Sequence, residues 1–158
     1  MNPITRQIPN AITCLNILSG CMAIIFASRG TSQIAGLPAF YWAFIAIGTA
    51  AVADFCDGFA ARALHAYSEL GKQLDSLCDA VSFGVAPAML LYHFLIDAGS
   101  PLYAALAALL IPVAGVLRLA KFNIDTRQTS SFIGLPIPAN AIFWIGYVSM
   151  VHDGASFL

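Results

Sequence analysis

The chain has 158 residues, 59% of them hydrophobic and 9% charged, where soluble domains carry roughly 25% charged residues. That balance excludes an ordinary soluble domain and describes a membrane protein. Its net charge of −1 gives no electrostatic footing for nucleic acid, and none is expected as a partner.

A span needs about 20 apolar residues. The first runs from Ile8 to Ala27 and reads as a span rather than a cleavable leader, lacking a small-residue cleavage site before a polar mature chain. A polar, glycine-containing stretch from Ser28 to Gly36 turns the chain. The second span begins near Leu37, stays apolar to Ala53 and continues as helix toward Ala66. Tyr67 to Lys72 reads as a short polar connection. The third span covers Gln73 to Ile96, and Asp97-Ala-Gly-Ser-Pro101 is a turn signal. The fourth covers Leu102 to Lys121, Phe122 to Ser131 is a polar loop, and the fifth starts near Gly134 and is still apolar at Val151. In lipid, backbone groups must pair within each segment. The expectation is therefore an all-α, polytopic transmembrane helix bundle forming a single domain over residues 1–158.

Charge sets the orientation. With an inside N-terminus, Arg6, Arg62, Lys72, Arg118, Lys121 and Arg127 collect inside and only Arg29 lies outside. This predicts an integral protein of the cytoplasmic (inner) membrane. Cys14, Cys21, Cys56 and Cys78 fall inside the spans without the clustered spacing of a metal–thiolate or disulfide framework, and read as small apolar residues. His65, His93 and His152, like Trp42 and Trp144, read as interfacial residues.

Against this background four of the eight acidic residues stand together, as Asp54, Asp57, Asp75 and Asp79, near the cytoplasmic end. Ionisable groups in spans are expensive and are functional candidates by default. Spacings of three and four put each pair on one helix face, and a short connection makes the two helices antiparallel neighbours whose faces can meet. Four carboxylates in one pocket repel unless protonated or bridged by cations. Oxygen ligands without His or Cys point to Mg²⁺ or Mn²⁺, with Ca²⁺ a further occupant. Two such ions about 4 Å apart clamp a transferring phosphoryl group. Gly58 and Gly71 beside these ligands suggest clearance for something bulky, whereas Gly48, Gly115 and Gly146 read as helix-packing glycines. Arg62 can meet a phosphate bidentately or snorkel to the cytoplasmic surface.

The full pattern, Asp54, Asp57, Gly58, Ala61, Arg62, Gly71, Asp75 and Asp79, sets eight positions over 26 residues. It resembles the signature of the CDP-alcohol phosphotransferases, membrane enzymes of phospholipid synthesis. The resemblance implies that the four aspartates hold one or two divalent cations around a CDP-linked lipid, and that Asp79 is also the general base. It implies that Gly58, Ala61, Arg62 and Gly71 line the pocket for cytidine and diphosphate, with Lys72 beside them. It brings a homodimer with it and six or more spans. Five spans in this chain fit truncation at the C-terminus, a shortened gene product or a minimal variant.

Two stretches bear on the acceptor. Asn10, Thr13 and Asn16 lie three apart, on one helical face. They either form interhelical hydrogen bonds or face the nucleotide, since the family's first span borders the CDP pocket; Asn10 and Thr13 are its candidate lipid-binding residues. Arg118-Leu-Ala-Lys-Phe-Asn123, followed by Ile133-Gly-Leu-Pro-Ile-Pro138, resembles the phosphatidylserine synthases of that family. Arg118 and Lys121 at a helix C-terminus either anchor the inside face with help from the helix dipole or, with Asn123, bind a serine carboxylate. The resemblance thus implies CDP-diacylglycerol and L-serine as substrates, with glycerol 3-phosphate or inositol as competing acceptors. A transporter with carboxylates relaying ions is the competing class. Against it, the carboxylates cluster at one membrane face and no broken-helix repeat is visible.

Overall fold

The computed structural model describes residues 7–124 and 134–155. Arg6, Arg127 and Ile133 lie outside the described residues, as does most of the expected loop from Phe122 to Ser131. The architecture is a polytopic helical bundle of five helices: α1 (Ile8–Ala27), α2 (Ala39–Ala63), α3 (Glu69–Asp97), α4 (Leu102–Ile124) and α5 (Ile137–Ala155). The first four are long and apolar enough to cross a membrane. The fifth has 19 residues, within the usual length of a span (about 17–25 residues), but Asn140, His152 and Asp153 dilute its apolar character.

Between α1 and α2 the chain makes a small hairpin, β1 (Gln33–Ile34) against β2 (Leu37–Pro38), with Gln33 opposite Pro38 and Ile34 opposite Leu37. Ala35 and Gly36 turn it with positive φ of 50° and 83°, the twist that two-residue hairpin turns favour. The sequence reading expects a polar turn here; strands of two residues are too short to show alternation. Trp42 Nε1 donates to the Ile34 carbonyl at 2.9 Å and pins the hairpin to α2.

α3 is the central helix. Half of its apolar window is buried inside the protein, against 17% for α4 and 28% for α1, and it packs on α1, α4 and α5. Its middle, Ala80–Val85, is a π turn, a rare geometry that concentrates at functional sites. Small residues let neighbours approach this stretch. A Cβ on Gly20 of α1 would lie 2.8 Å from Ser82 Cα, and one on Gly84 would lie 3.4 Å from Pro112 Cα of α4. Gly115 similarly admits Ile137 of α5, whose Cδ1 would be 2.6 Å from an added Cβ. Close approach at small residues replaces the hydrophobic driving force that lipid removes. A Cβ on Gly48 or Gly146 would meet nothing within 4 Å, so neither of these two expected packing glycines admits a neighbour among the described helices of this chain.

Candidate active site

The site lies where α2 ends and α3 begins. Ser68 caps α3, its Oγ accepting from Gly71 N at 3.0 Å and satisfying one of the free N–H groups of the first turn. Helix therefore starts at Glu69, and Lys72, read from sequence as part of the connection, stands on α3. From these two ends α2 presents Asp54 and Asp57, and α3 presents Asp75 and Asp79.

Ligand oxygens of Asp54, Asp57 and Asp75 all lie within 4.8 Å of one another. Asp54 also neighbours Asp79, which is 9% exposed and accepts a hydrogen bond from Asn16 Nδ2 at 3.2 Å. Asp57 is 5% exposed and its Oδ2 has no hydrogen-bond partner among the described residues. Buried polar atoms are nearly always paired, so an orphaned oxygen on a carboxylate grouped with two others is a place for a cation. An all-oxygen donor set fits a hard divalent ion.

The aspartate faces meet as expected, but their helices do not pack closely along their lengths. The first turns of α3 rest on α1, which also runs along α2. The gap between α2 and α3 is a cavity of about 860 Å³, at the upper end of ligand-pocket sizes (roughly 300–1,000 Å³). Every residue assigned to the CDP-linked lipid lines it: Asn10 and Thr13 from α1, Gly58, Ala61 and Arg62 from α2, Gly71 and Lys72 from α3. Asp54, Asp57 and Asp75 form its acidic wall. A Cβ on Gly58 would meet nothing within 4 Å, so this glycine opens space into the cavity. Gly71 differs, because a Cβ there would press on Ser68 Oγ at 3.0 Å and Asn10 Oδ1 at 3.1 Å. It serves the close fit of cap and α1 as well as clearance.

Arg118, Lys121 and Asn123 do not line this cavity. Asn123 Nδ2 donates to Ser76 Oγ at 2.8 Å, and Lys72 Nζ donates to the Asn123 carbonyl at 3.3 Å. The end of α4 is thereby tied to α3 beside Asp75. Lys121 is exposed and Arg118 half-exposed. The sequence reading missed Phe55 and Tyr67, cavity residues that are each 68% exposed. Phe55 adjoins Asp54 in the chain, but nothing in its spacing separates it from the other aromatic residues of the spans.

A bundle of membrane-crossing helices with an acidic, oxygen-only cluster beside an open cavity defines an integral membrane protein equipped to hold a charged, metal-associated ligand at one end. A family profile described as CDP-alcohol phosphatidyltransferase matches residues 6–157; the chain belongs to that family. Curated relatives agree. The chain is 41% identical over 84% of its length to a CDP-diacylglycerol–serine O-phosphatidyltransferase of Bacillus subtilis, covering 70% of that protein. It is 37% identical over 92% of its length to one of Methanocaldococcus jannaschii, covering 62% of it. A third, from Mycobacterium leprae, is 39% identical over 90% of the chain, which spans 47% of that protein. The chain thus spans between about half and seven tenths of the lengths of these relatives. No solved structure matches the chain significantly.

Proposed function

We propose that this protein transfers the phosphatidyl group of CDP-diacylglycerol to the hydroxyl of L-serine, giving phosphatidylserine and CMP, at the cytoplasmic face of the inner membrane. The observation that carries the reading is the convergence of Asp54, Asp57 and Asp75, with Asp79 against Asp54, beside a cavity lined by Gly58, Ala61, Arg62 and Gly71 of the motif. The names of the relatives supply serine as the acceptor, and the positive-inside bias supplies the face.

In this reading Asp54, Asp57, Asp75 and Asp79 hold one or two Mg²⁺ or Mn²⁺ ions. When bound, such ions supply charge neutralisation on the diphosphate and stabilise the departing phosphate of CMP. The remaining work falls to the chain itself. Arg62 and Lys72 bring positive charge to the diphosphate, Gly58 leaves room for the nucleotide, and Asn10 and Thr13 border it from α1. The serine oxygen forms a bond to the phosphorus carrying diacylglycerol as the bond from that phosphorus to the CMP oxygen breaks. Asp79, ionised and within hydrogen-bond reach, takes the hydroxyl proton. Arg118, Lys121 and Asn123 receive the serine carboxylate at the end of α4, beside Ser76. The protein works as a homodimer.

The test is CMP release from CDP-diacylglycerol in detergent with Mn²⁺ or Mg²⁺, supplying serine, glycerol 3-phosphate and inositol separately. Serine-dependent release that chelation abolishes, and that Asp79→Asn lowers by about 10²–10⁴-fold, is the expected result. Release with another alcohol alone would keep the aspartate chemistry and remove serine. No release with any alcohol from metal-loaded, folded protein would remove the proposed reaction.

A further inference from the structure

Asp79 is a buried motif carboxylate, and α1 supplies a direct hydrogen bond to it. Asn16, wholly buried, donates from Nδ2 to Asp79 Oδ1 at 3.2 Å across 63 residues of sequence. Its own backbone carbonyl accepts from Ser82 Oγ at 3.1 Å. One turn further along α1, Gly20 lets the π turn come into backbone contact. Asn16 is thus gripped on both sides, by Asp79 through its side chain and by Ser82 through its backbone.

The other half of the amide is unused. Asn16 Oδ1 is buried and has no hydrogen-bond partner among the described residues. Had the side chain served only to join α1 to α3, both ends of the amide would be satisfied, or an apolar residue would fill the place without leaving an acceptor unpaired. The contact of Gly20 with Ser82 already joins the two helices. What the amide adds is a fixed N–H directed at one oxygen of Asp79.

We infer that Asn16 is a positioning residue: its amide N–H fixes the plane of the Asp79 carboxylate, so that the other oxygen is held toward the cation and the acceptor hydroxyl. The inference deepens the proposed function and rests on it for the role of Asp79. Partners that orient a ligating carboxylate typically change metal affinity or activity by about 10–100-fold when removed.

The experiment compares Asn16→Ala with Ser82→Ala in the full chain in detergent, by two readouts. Mn²⁺ is titrated and followed by electron paramagnetic resonance, and CMP release is resolved into kcat and the KM for CDP-diacylglycerol. Asn16→Ala is expected to weaken Mn²⁺ binding and lower kcat by about 10–100-fold with the KM for CDP-diacylglycerol little changed. Ser82→Ala, which removes the hydroxyl from the Asn16 carbonyl and leaves the amide bond to Asp79 in place, should lose far less in both. Asn16→Ser keeps a polar group too short to reach Asp79 and stands in if the alanine variant does not fold. Equal losses in the Asn16 and Ser82 variants, or wild-type Mn²⁺ affinity and kcat without the amide, would overturn the inference. If the wild type releases no CMP with any alcohol, the proposed reaction fails, and the Mn²⁺ titration still decides the role of Asn16.

Discussion

Gly58 separates two demands that usually act together, stability of the helix and fit of the ligand. Glycine inside a helix is less stable than alanine by about 1 kcal/mol, and a Cβ at this position would meet no atom of the protein within 4 Å. Gly58→Ala should therefore raise the melting temperature slightly while occupying space that opens into the cavity. The expected outcome is a KM for CDP-diacylglycerol raised several-fold, read from CMP release beside a thermal melt. A fall in melting temperature with unchanged KM would show that the glycine serves packing instead. At this scale the site was largely legible. Fixed spacing places Asp54 with Asp57 and Asp75 with Asp79, and every motif residue named for the CDP-linked lipid lines the cavity. The pairing of Asn16 with Asp79 was not legible, because 63 residues separate them and no local period records such a contact. Asn123 was placed near the site by resemblance, but its amide is engaged with Ser76.

The elements show the same division between local and distant causes. Apolar runs long enough to span a bilayer mark α1 to α4 in the sequence within a few residues, and α1 agrees at both ends. α3 starts at Glu69, ahead of the Gln73 expected from sequence, because Ser68, a capping residue with Glu69 after it, lies within a stretch polar enough to read as loop. The π turn leaves no such mark. It lies where α1, α4 and α5 all press on α3, so its cause is the packing of three helices around one segment. Gly20 is the sharpest test of that packing. A side chain there meets backbone, at 2.8 Å from Ser82 Cα, and backbone cannot swing aside. Gly20→Val should destabilise the protein by about 1–3 kcal/mol, the range for overpacking a tight contact, and lower CMP release as Asn16 is drawn from Asp79. The corresponding change at Gly48, where nothing lies within 4 Å, should leave both the melting temperature and the activity near wild type.

For the whole molecule the decisive property is polarity from end to end. The hairpin and Arg29 mark one end, and Arg62, His65 and the carboxylate cluster mark the other. With Cys14, Cys21, Cys56 and Cys78 replaced, Thr31→Cys should react with a membrane-impermeant maleimide added to intact cells, and His65→Cys only after the membrane is opened. The reverse pattern would turn the molecule over and contradict the positive-inside argument.

The cavity at one end of the bundle, with Phe55 exposed at its wall, also governs where its product goes. A lipid whose head reaches the aspartates while its tails stay among neighbouring lipids enters and leaves through the same leaflet. New lipid would then accumulate on one side of the bilayer, crowding that leaflet and bending the membrane. Relief of that imbalance falls to separate machinery that moves lipids from one leaflet to the other.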